Sequence, residues 1–144
     1  MAGYLATAET DIDASTAEVW AALTDPAAIA RYMFGSQVET DWQQGSPIVW
    51  RGEYDGKPYE DKGQILEVVP GQRLVVTHFS PLSGQADVPE NYHTLTYLLG
   101  TADGRTHLSL SQDGSASEEE AEHSRGMWQS VLDGLKGVAE QSAG

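Results

Sequence analysis

Four histidines, His78, His93, His107 and His123, are the side chains whose chemistry suits proton transfer or metal ligation near neutral pH, and their spacing supports neither. No two stand as His-x-His or His-x-x-x-His, and no Asp or Glu sits beside a pair as a third ligand does in metal motifs. Four carboxylates, Glu53, Asp55, Glu60 and Asp61, crowd around Asp55-Gly56. Paired carboxylates do acid–base work when their surroundings drive their proton affinities apart. On a hairpin tip they are instead a solvated edge that discourages strand-to-strand aggregation, which is the expectation here. No serine lies in Gly-x-Ser-x-Gly, Ser83-Gly84-Gln85 is no nucleophile elbow, and no glycine-rich loop is built to cradle phosphate. Cysteine is absent, which excludes disulfides, thiolate chemistry and zinc sites built on sulfur. The sequence predicts no catalytic residue, no metal site and no cofactor.

The surroundings narrow the function classes further. Eight basic residues face 22 acidic ones, a net charge of -14, and the basic residues are scattered. Nucleic acids and anionic membrane surfaces need clustered Lys and Arg, so neither is an expected partner. The charge is read as a solubility device. No apolar run reaches the roughly 18 residues that a membrane-spanning helix needs. The opening MAGYLATAETDID is acidic and has neither the basic nor the apolar region of a secretory signal, so a cytoplasmic location is expected. With 144 residues, 40% of them apolar, the chain is expected to form one domain over residues 1–144.

Residues 4–12 read as a strand. Ser15 and Glu18 have capping-box spacing before Val19, Trp20 and Leu23, which share a helical face. Asp25-Pro26 ends that helix and starts a second short one over Ala27 to Tyr32. Val38, Thr40 and Trp42 alternate as a strand that Gly45-Ser46-Pro47 breaks. Ile48 to Tyr54 and Pro58 to Val69 form a hairpin around Asp55-Gly56. Pro70-Gly71 suits a type II turn into a strand from Arg73 to Ser80, and residues 81–90 form a polar loop. Asn91 to Leu99 and Arg105 to Gln112 make the last hairpin around Asp103-Gly104, and Asp113-Gly114 ends the strands. Ser117 to Glu120 is a second capping box, its carboxylates at the end of the helix that the dipole favours. Met127, Trp128, Val131, Leu132, Leu135 and Val138 then recur at helical spacing over roughly 20 residues. Gly126, Gly134 and Gly137 are expected to let this helix approach the sheet closely. Short connections make the sheet antiparallel, with helices gathered on one face.

This order of elements resembles the START-like superfamily, also called SRPBCC, Bet v-like or helix-grip, and within it the AHSA-type domains named after activators of the heat-shock-protein ATPase. The resemblance rests on Ala14-Ser15, Val19-Trp20 and Leu23-Thr24-Asp25-Pro26, and on Trp42, Gly45, Gly63, Glu67, Pro70 and Arg73-Leu74. Thr94 to Leu99, Gly104-Arg105-Thr106 and Gly126-Met127-Trp128 with Leu132 and Leu135 complete it. It covers essentially the whole chain. It implies an α+β helix-grip fold: a curved antiparallel sheet of about six or seven strands wrapped around a long C-terminal helix. It also implies an apolar cavity between the two, of the kind in which relatives bind lipids, sterols, polyketides or other apolar molecules.

Alternation along strands selects the cavity candidates. Leu95, Tyr97 and Leu99 share a face, as do Leu108, Leu110 and Gln112; Leu74, Val76 and His78; and Trp50 and Tyr54. Met127, Trp128, Val131, Leu132 and Leu135 point inward from the helix. Tyr32, Met33 and Phe34 lie before Gly35, a region that in the family borders the cavity mouth, where they act either as a gate or as a plug packed on the sheet. The expected ligand-binding set is therefore Phe34, Trp50, Tyr54, Val76, His78, Leu95, Tyr97, Leu110, Gln112, Met127, Trp128, Val131, Leu132 and Leu135. His93 and His107 are assigned to the face opposite the inward one. His78, Tyr97 and Gln112 each either orient a ligand or are paired within the core. The expected function is binding of an apolar small molecule, a lipid, polyketide or aromatic compound, without catalysis. The alternatives are a cyclase- or hydrolase-type enzyme on the same scaffold and a co-chaperone-like module that binds a protein partner. A monomer or weak dimer is expected.

Overall fold

A computed structural model describes residues 4–143 apart from Phe34, Asp55, Leu82 and Ser83; for Tyr54, Ala102, Ser142 and Ala143 it describes the backbone alone. Strand β1 (Tyr4–Ile12) leads into helices α1 (Thr16–Thr24) and α2 (Pro26–Tyr32). Strands β2 (Gln37–Glu39), β3 (Pro47–Tyr54), β4 (Lys57–Val69), β5 (Arg73–His78), β6 (His93–Ala102) and β7 (Arg105–Ser115) follow, and helix α3 (Glu118–Ala143) closes the chain. The strands form one seven-stranded antiparallel sheet in the order β1-β7-β6-β5-β4-β3-β2. This is the expected α+β helix-grip architecture.

Local chemistry sets the boundaries. The Ser15 side chain accepts from the Glu18 N–H at 3.1 Å, and the Glu18 carboxylate accepts from the Ser15 N–H at 3.0 Å, so both halves of the capping box form. Asp25 caps α2, and Pro26 occupies its first turn. Asp103 and Gly104 both have positive φ, 52° and 78°, between the paired residues Ala102 and Arg105, as a type I′ hairpin requires. Tyr54 pairs with Lys57, so the hairpin read around Asp55-Gly56 has two connecting residues; Asp55 itself lies outside the described residues.

Three expectations need correction. The strand read over Val38, Thr40 and Trp42 stops at Glu39, because side chains there bond the backbone: Asp41 accepts from the Gln43 N–H, and Thr40 donates to the Pro47 carbonyl. Trp42 has a φ of 60°, which no strand tolerates. Strand β7 continues through Asp113-Gly114 to Ser115, with a bulge against β1 between Tyr4 and Ala6. Helix α3 is 26 residues long, and its glycines do not bring it onto the sheet: Gly134 faces Tyr32 of α2, while Gly126 and Gly137 face open space.

Helix α3 also covers the edge of the sheet. Gln129 donates to the Glu9 carbonyl at 3.0 Å and Lys136 to the Asp11 carbonyl at 2.8 Å, so β1 is not left as an open pairing edge. Between helix and sheet, Ile12, Val19, Ile65, Leu108, Leu110, Leu132 and Leu135 are fully buried. Tyr32 and Tyr97 are buried with them, and burial pushes both hydroxyls up from the ordinary phenol range.

Candidate functional site

Three neighbouring strands change character at one end. Their inward residues are Leu74, Val76 and His78 on β5, Leu99, Tyr97, Leu95 and His93 on β6, and Leu108, Leu110 and Gln112 on β7. Register pairs Val76 with Leu95, Leu95 with Gln112, and His78 with His93. Aliphatic residues thus give way to polar ones toward one end of the sheet, at Gln112 and, one row further on, at His78 and His93. The facing helix changes in the same direction, from Leu135 and Leu132 to Trp128, Ser124 and Glu120. Where the polar row begins, helix and sheet separate to leave a cavity of about 420 Å³.

Of the expected set, Trp50, His78, Gln112, Met127, Trp128 and Val131 line this cavity. Met127 is 45% exposed, so it stands at the mouth instead of pointing into the core. Val76, Leu95, Tyr97, Leu110, Leu132 and Leu135 are buried in the packed layer beyond the cavity wall. Phe34 lies outside the described residues, as does the side chain of Tyr54. The wall also holds Met33, one of the three residues read as a gate or plug at the mouth, and Ser36, Tyr59, Asp61 and His93, which the sequence reading did not place there. His93 corrects that reading. It shares strand parity with Leu95, Tyr97 and Leu99, and it faces inward with them.

Asp61 is the second correction. Expected on a solvated hairpin tip, its side chain is 16% exposed and lies opposite Trp50 on β3. The signal was parity: 61 runs in step with the buried Ile65, and β4 extends well inward of the tip. Gly63 makes this path possible. A Cβ there would lie 1.7 Å from the Thr77 carbonyl oxygen, so only glycine lets β4 cross β5 this closely. Gly52 plays a lesser part, leaving room for the Tyr59 ring, whose hydroxyl bonds that of Ser36.

The polar groups on the wall are partly spent on one another. The Trp128 indole N–H donates to Gln112 Oε1 at 2.6 Å. An indole nitrogen only donates, so the Gln112 oxygen must face it and the amide NH₂ turns away. Gln112 is therefore a paired core group on one side. His78 Nε2 lies 2.9 Å from Asp61 Oδ2, and the ring meets Trp50 edge-on at 5.1 Å between centroids. A ring N–H donated to the carboxylate leaves Nδ1 as the basic nitrogen of a neutral imidazole. Asp61 Oδ1 is buried with no partner among the described residues. His93 Nδ1 lies 2.8 Å from the Asp113 carbonyl, which fixes the N–H on that nitrogen.

Ser80, Gln85 and Asn91 bring the loop after β5 onto the wall. This loop is tied down by the Lys62–Asp87 ion pair, by the Tyr92 hydroxyl donating to Asp87 at 2.6 Å, and by Phe79 stacked on Tyr92. The charged groups on the wall are Glu53, Asp61 and Glu120, and no Lys or Arg is among its described residues. Among the described residues, no group of three or more His, Asp or Glu is placed to hold a metal ion. No described helix is long and apolar enough to cross a membrane.

Comparison with known proteins bears on the whole chain. The profile of the family described as Activator of Hsp90 ATPase homolog 1-like protein matches residues 13–140. The solution structure of ChR145 from Cytophaga hutchinsonii is similar at 43% identity and a TM-score of 0.85, over 99% of this chain and 97% of that one. The solution structure of the Aha1 dimer from Colwellia psychrerythraea shares the fold at 17% identity and a TM-score of 0.73, over 98% and 99% of the two chains. The crystal structure of DynU16, from the dynemicin biosynthetic locus, shares it at 18% identity and a TM-score of 0.76, over 96% of this chain and 48% of that one. No match was found among curated proteins.

Proposed function

We propose that this chain, which belongs to the Activator of Hsp90 ATPase homolog 1-like family, binds an apolar small molecule in the cavity between its sheet and its C-terminal helix, without catalysing a reaction. The observation that carries this reading is the cavity of about 420 Å³, which falls in the size range of small-molecule sites, roughly 300–1,000 Å³. Its wall joins Trp50, Trp128, Met33, Met127 and Val131 to polar side chains, among them Tyr59, Asp61, His78, His93 and Gln112. Pockets that bind and orient a ligand use this mixture, with a broad apolar surface for affinity and sparse polar groups for pose. The origin of DynU16 in a biosynthetic locus accords with small-molecule work on this scaffold.

The test is an NMR screen of the protein against lipids, flavonoids and polyketides. The indole N–H signals of Trp50 and Trp128 report the cavity, and Trp20 and Trp42 serve as controls. Shifts confined to Trp50, Trp128 and the facing strands support the reading. Shifts elsewhere, or none across the screen, overturn it.

A second reading, proton-transfer catalysis on the same scaffold, is favoured by the convergence of His78, Asp61, His93 and Gln112 on one cavity. An imidazole held by a carboxylate is the arrangement of a general base. Ligands recovered with unchanged NMR spectrum and no deuterium incorporated after long incubation with the protein in D₂O would end this reading. Turnover lost in His78→Gln would support it.

A further inference from the structure

From the charges on its wall, we infer that the cavity takes an organic cation: a protonated or quaternary amine on an apolar frame. This rests on the reading that the cavity binds a small molecule, and adds the sign of the ligand's charge. Every formally charged residue on the wall, Glu53, Asp61 and Glu120, is acidic. On the surrounding strands Arg51 is paired with Glu39 and Glu60 and Lys62 with Asp87, while Lys57 is exposed beside the hairpin tip and is not on the wall. On the cavity wall a fatty acid or other carboxylate meets no ammonium or guanidinium among the described residues. An entering cation is drawn by the Asp61 carboxylate, whose buried Oδ1 has no hydrogen-bond partner among the described residues, and meets the aromatic side chains of Trp50, Tyr59 and Trp128. Aromatic faces attract cations, and most strongly where water is excluded.

The two histidines do not reverse the sign. Any charge on His78 is matched by Asp61 at 2.9 Å, and His93 is held by the neutral Asp113 carbonyl. The chain as a whole, with 22 acidic against eight basic residues, adds an attractive field for cations at long range. The apolar wall and this charge pattern together describe a ligand that is greasy over most of its surface and positive at one end.

A matched series separates charge from shape: 2-naphthylmethylammonium, 2-naphthylmethanol and 2-naphthoate, titrated calorimetrically into the full chain at one pH near neutrality. The ammonium should bind about tenfold or more tighter than the carboxylate, with the alcohol between, and raised salt should narrow the gap. Asp61→Asn should shrink the preference. Glu53→Gln with Glu120→Gln should also shrink it, and these residues are exposed enough that the double variant will fold. Equal or tighter binding of the carboxylate overturns the inference, as does an ammonium preference unchanged in both variants. If the alcohol binds and the ammonium gains nothing over it, cavity binding stands and the charge assignment falls. If none of the three binds, cavity binding and the charge assignment fall together.

Discussion

The inward face of the sheet has two ends, and the same three strands build both. At one end Leu74, Tyr97, Leu108 and Leu110 meet Leu132 and Leu135 in close packing. At the other, His78 and His93, with Gln112 bonded to Trp128, border the open cavity. The β5–β6 and β6–β7 registers run unbroken through both ends, so the side chains on these strands contribute to the difference. Branched aliphatic groups interdigitate and leave no void. Polar groups that keep their partners within the wall, Gln112 with Trp128 and His78 with Asp61, hold their places and leave the space between them unfilled.

The sharpest way to break this comparison is to cut one large side chain from each end. Leu132 is fully buried, and Leu132→Ala should cost about 4 kcal/mol, since the packed layer does not collapse onto the gap. Met127 stands 45% exposed at the cavity mouth, and Met127→Ala should cost under about 1 kcal/mol. Urea unfolding of the two variants measures the contrast, and equal losses would mean that the ends are packed alike.

At the cavity end the sensitive element is backbone. Gly63→Ala sets a Cβ against the Thr77 carbonyl oxygen, between the Ile65–Val76 pair and the Lys62–Phe79 bridge, and should cost about 3 kcal/mol. Gly52→Ala meets only the far end of the Tyr59 ring, which can swing, and should cost about 1 kcal/mol. Thermal unfolding of both variants should rank them in that order. The reverse order would mean that β4 does not need its close crossing.

The polar row offers a finer contrast. Gln112→Leu fills the space with an aliphatic group but strands the buried Trp128 indole N–H, at a cost of about 1–2 kcal/mol. Adding Trp128→Phe removes the stranded donor, so the double variant should be more stable than the sum of the single losses by about 1 kcal/mol. A double-mutant cycle by urea unfolding reads this coupling. A coupling near zero would mean that the pair does not hold the wall.

The sequence disclosed most of this division, though not its polar side. The alternation of Leu95, Tyr97 and Leu99, and the helical spacing of Trp128, Leu132 and Leu135, located the packed end, because apolar periodicity records burial directly. Turn chemistry placed the hairpins, since Asp103-Gly104 and Pro70-Gly71 carry the backbone angles they need. The polar wall was harder to read. Asp61 reads as a hairpin carboxylate although the strand predicted over Pro58 to Val69 sets it in step with Ile65; what no local pattern shows is that β4 crosses β5 closely at Gly63. His93 could have been found by parity alone, since it lies two residues before Leu95. Ser36 and Tyr59 meet across 23 residues of chain, a pairing that local pattern does not encode.

The smallest expected effect lies on the outer face of β7, where the His78–Asp61 chemistry recurs in water. His107 Nδ1 lies 2.8 Å from Asp11 and Nε2 lies 3.1 Å from Glu9, with the ring 44% exposed. Hydrogen bonds to Asp11 and then Glu9 raise its pKa above the ordinary imidazole range. A histidine whose folded pKa is raised binds its proton more tightly in the folded state, so folding gains stability from it below the unfolded pKa. That gain fades as pH rises through the raised value. His107→Gln should therefore destabilise the fold at about pH 6 and leave it unchanged at about pH 9, judged against an unperturbed imidazole near 6.5. Solvent screening holds the loss to about 0.5 kcal/mol or less. Urea midpoints of wild type and variant at the two pH values test the sign. A loss larger at the alkaline value would show that His107 contributes through packing and not through its proton, and the likeness between the two histidine–carboxylate pairs would end there.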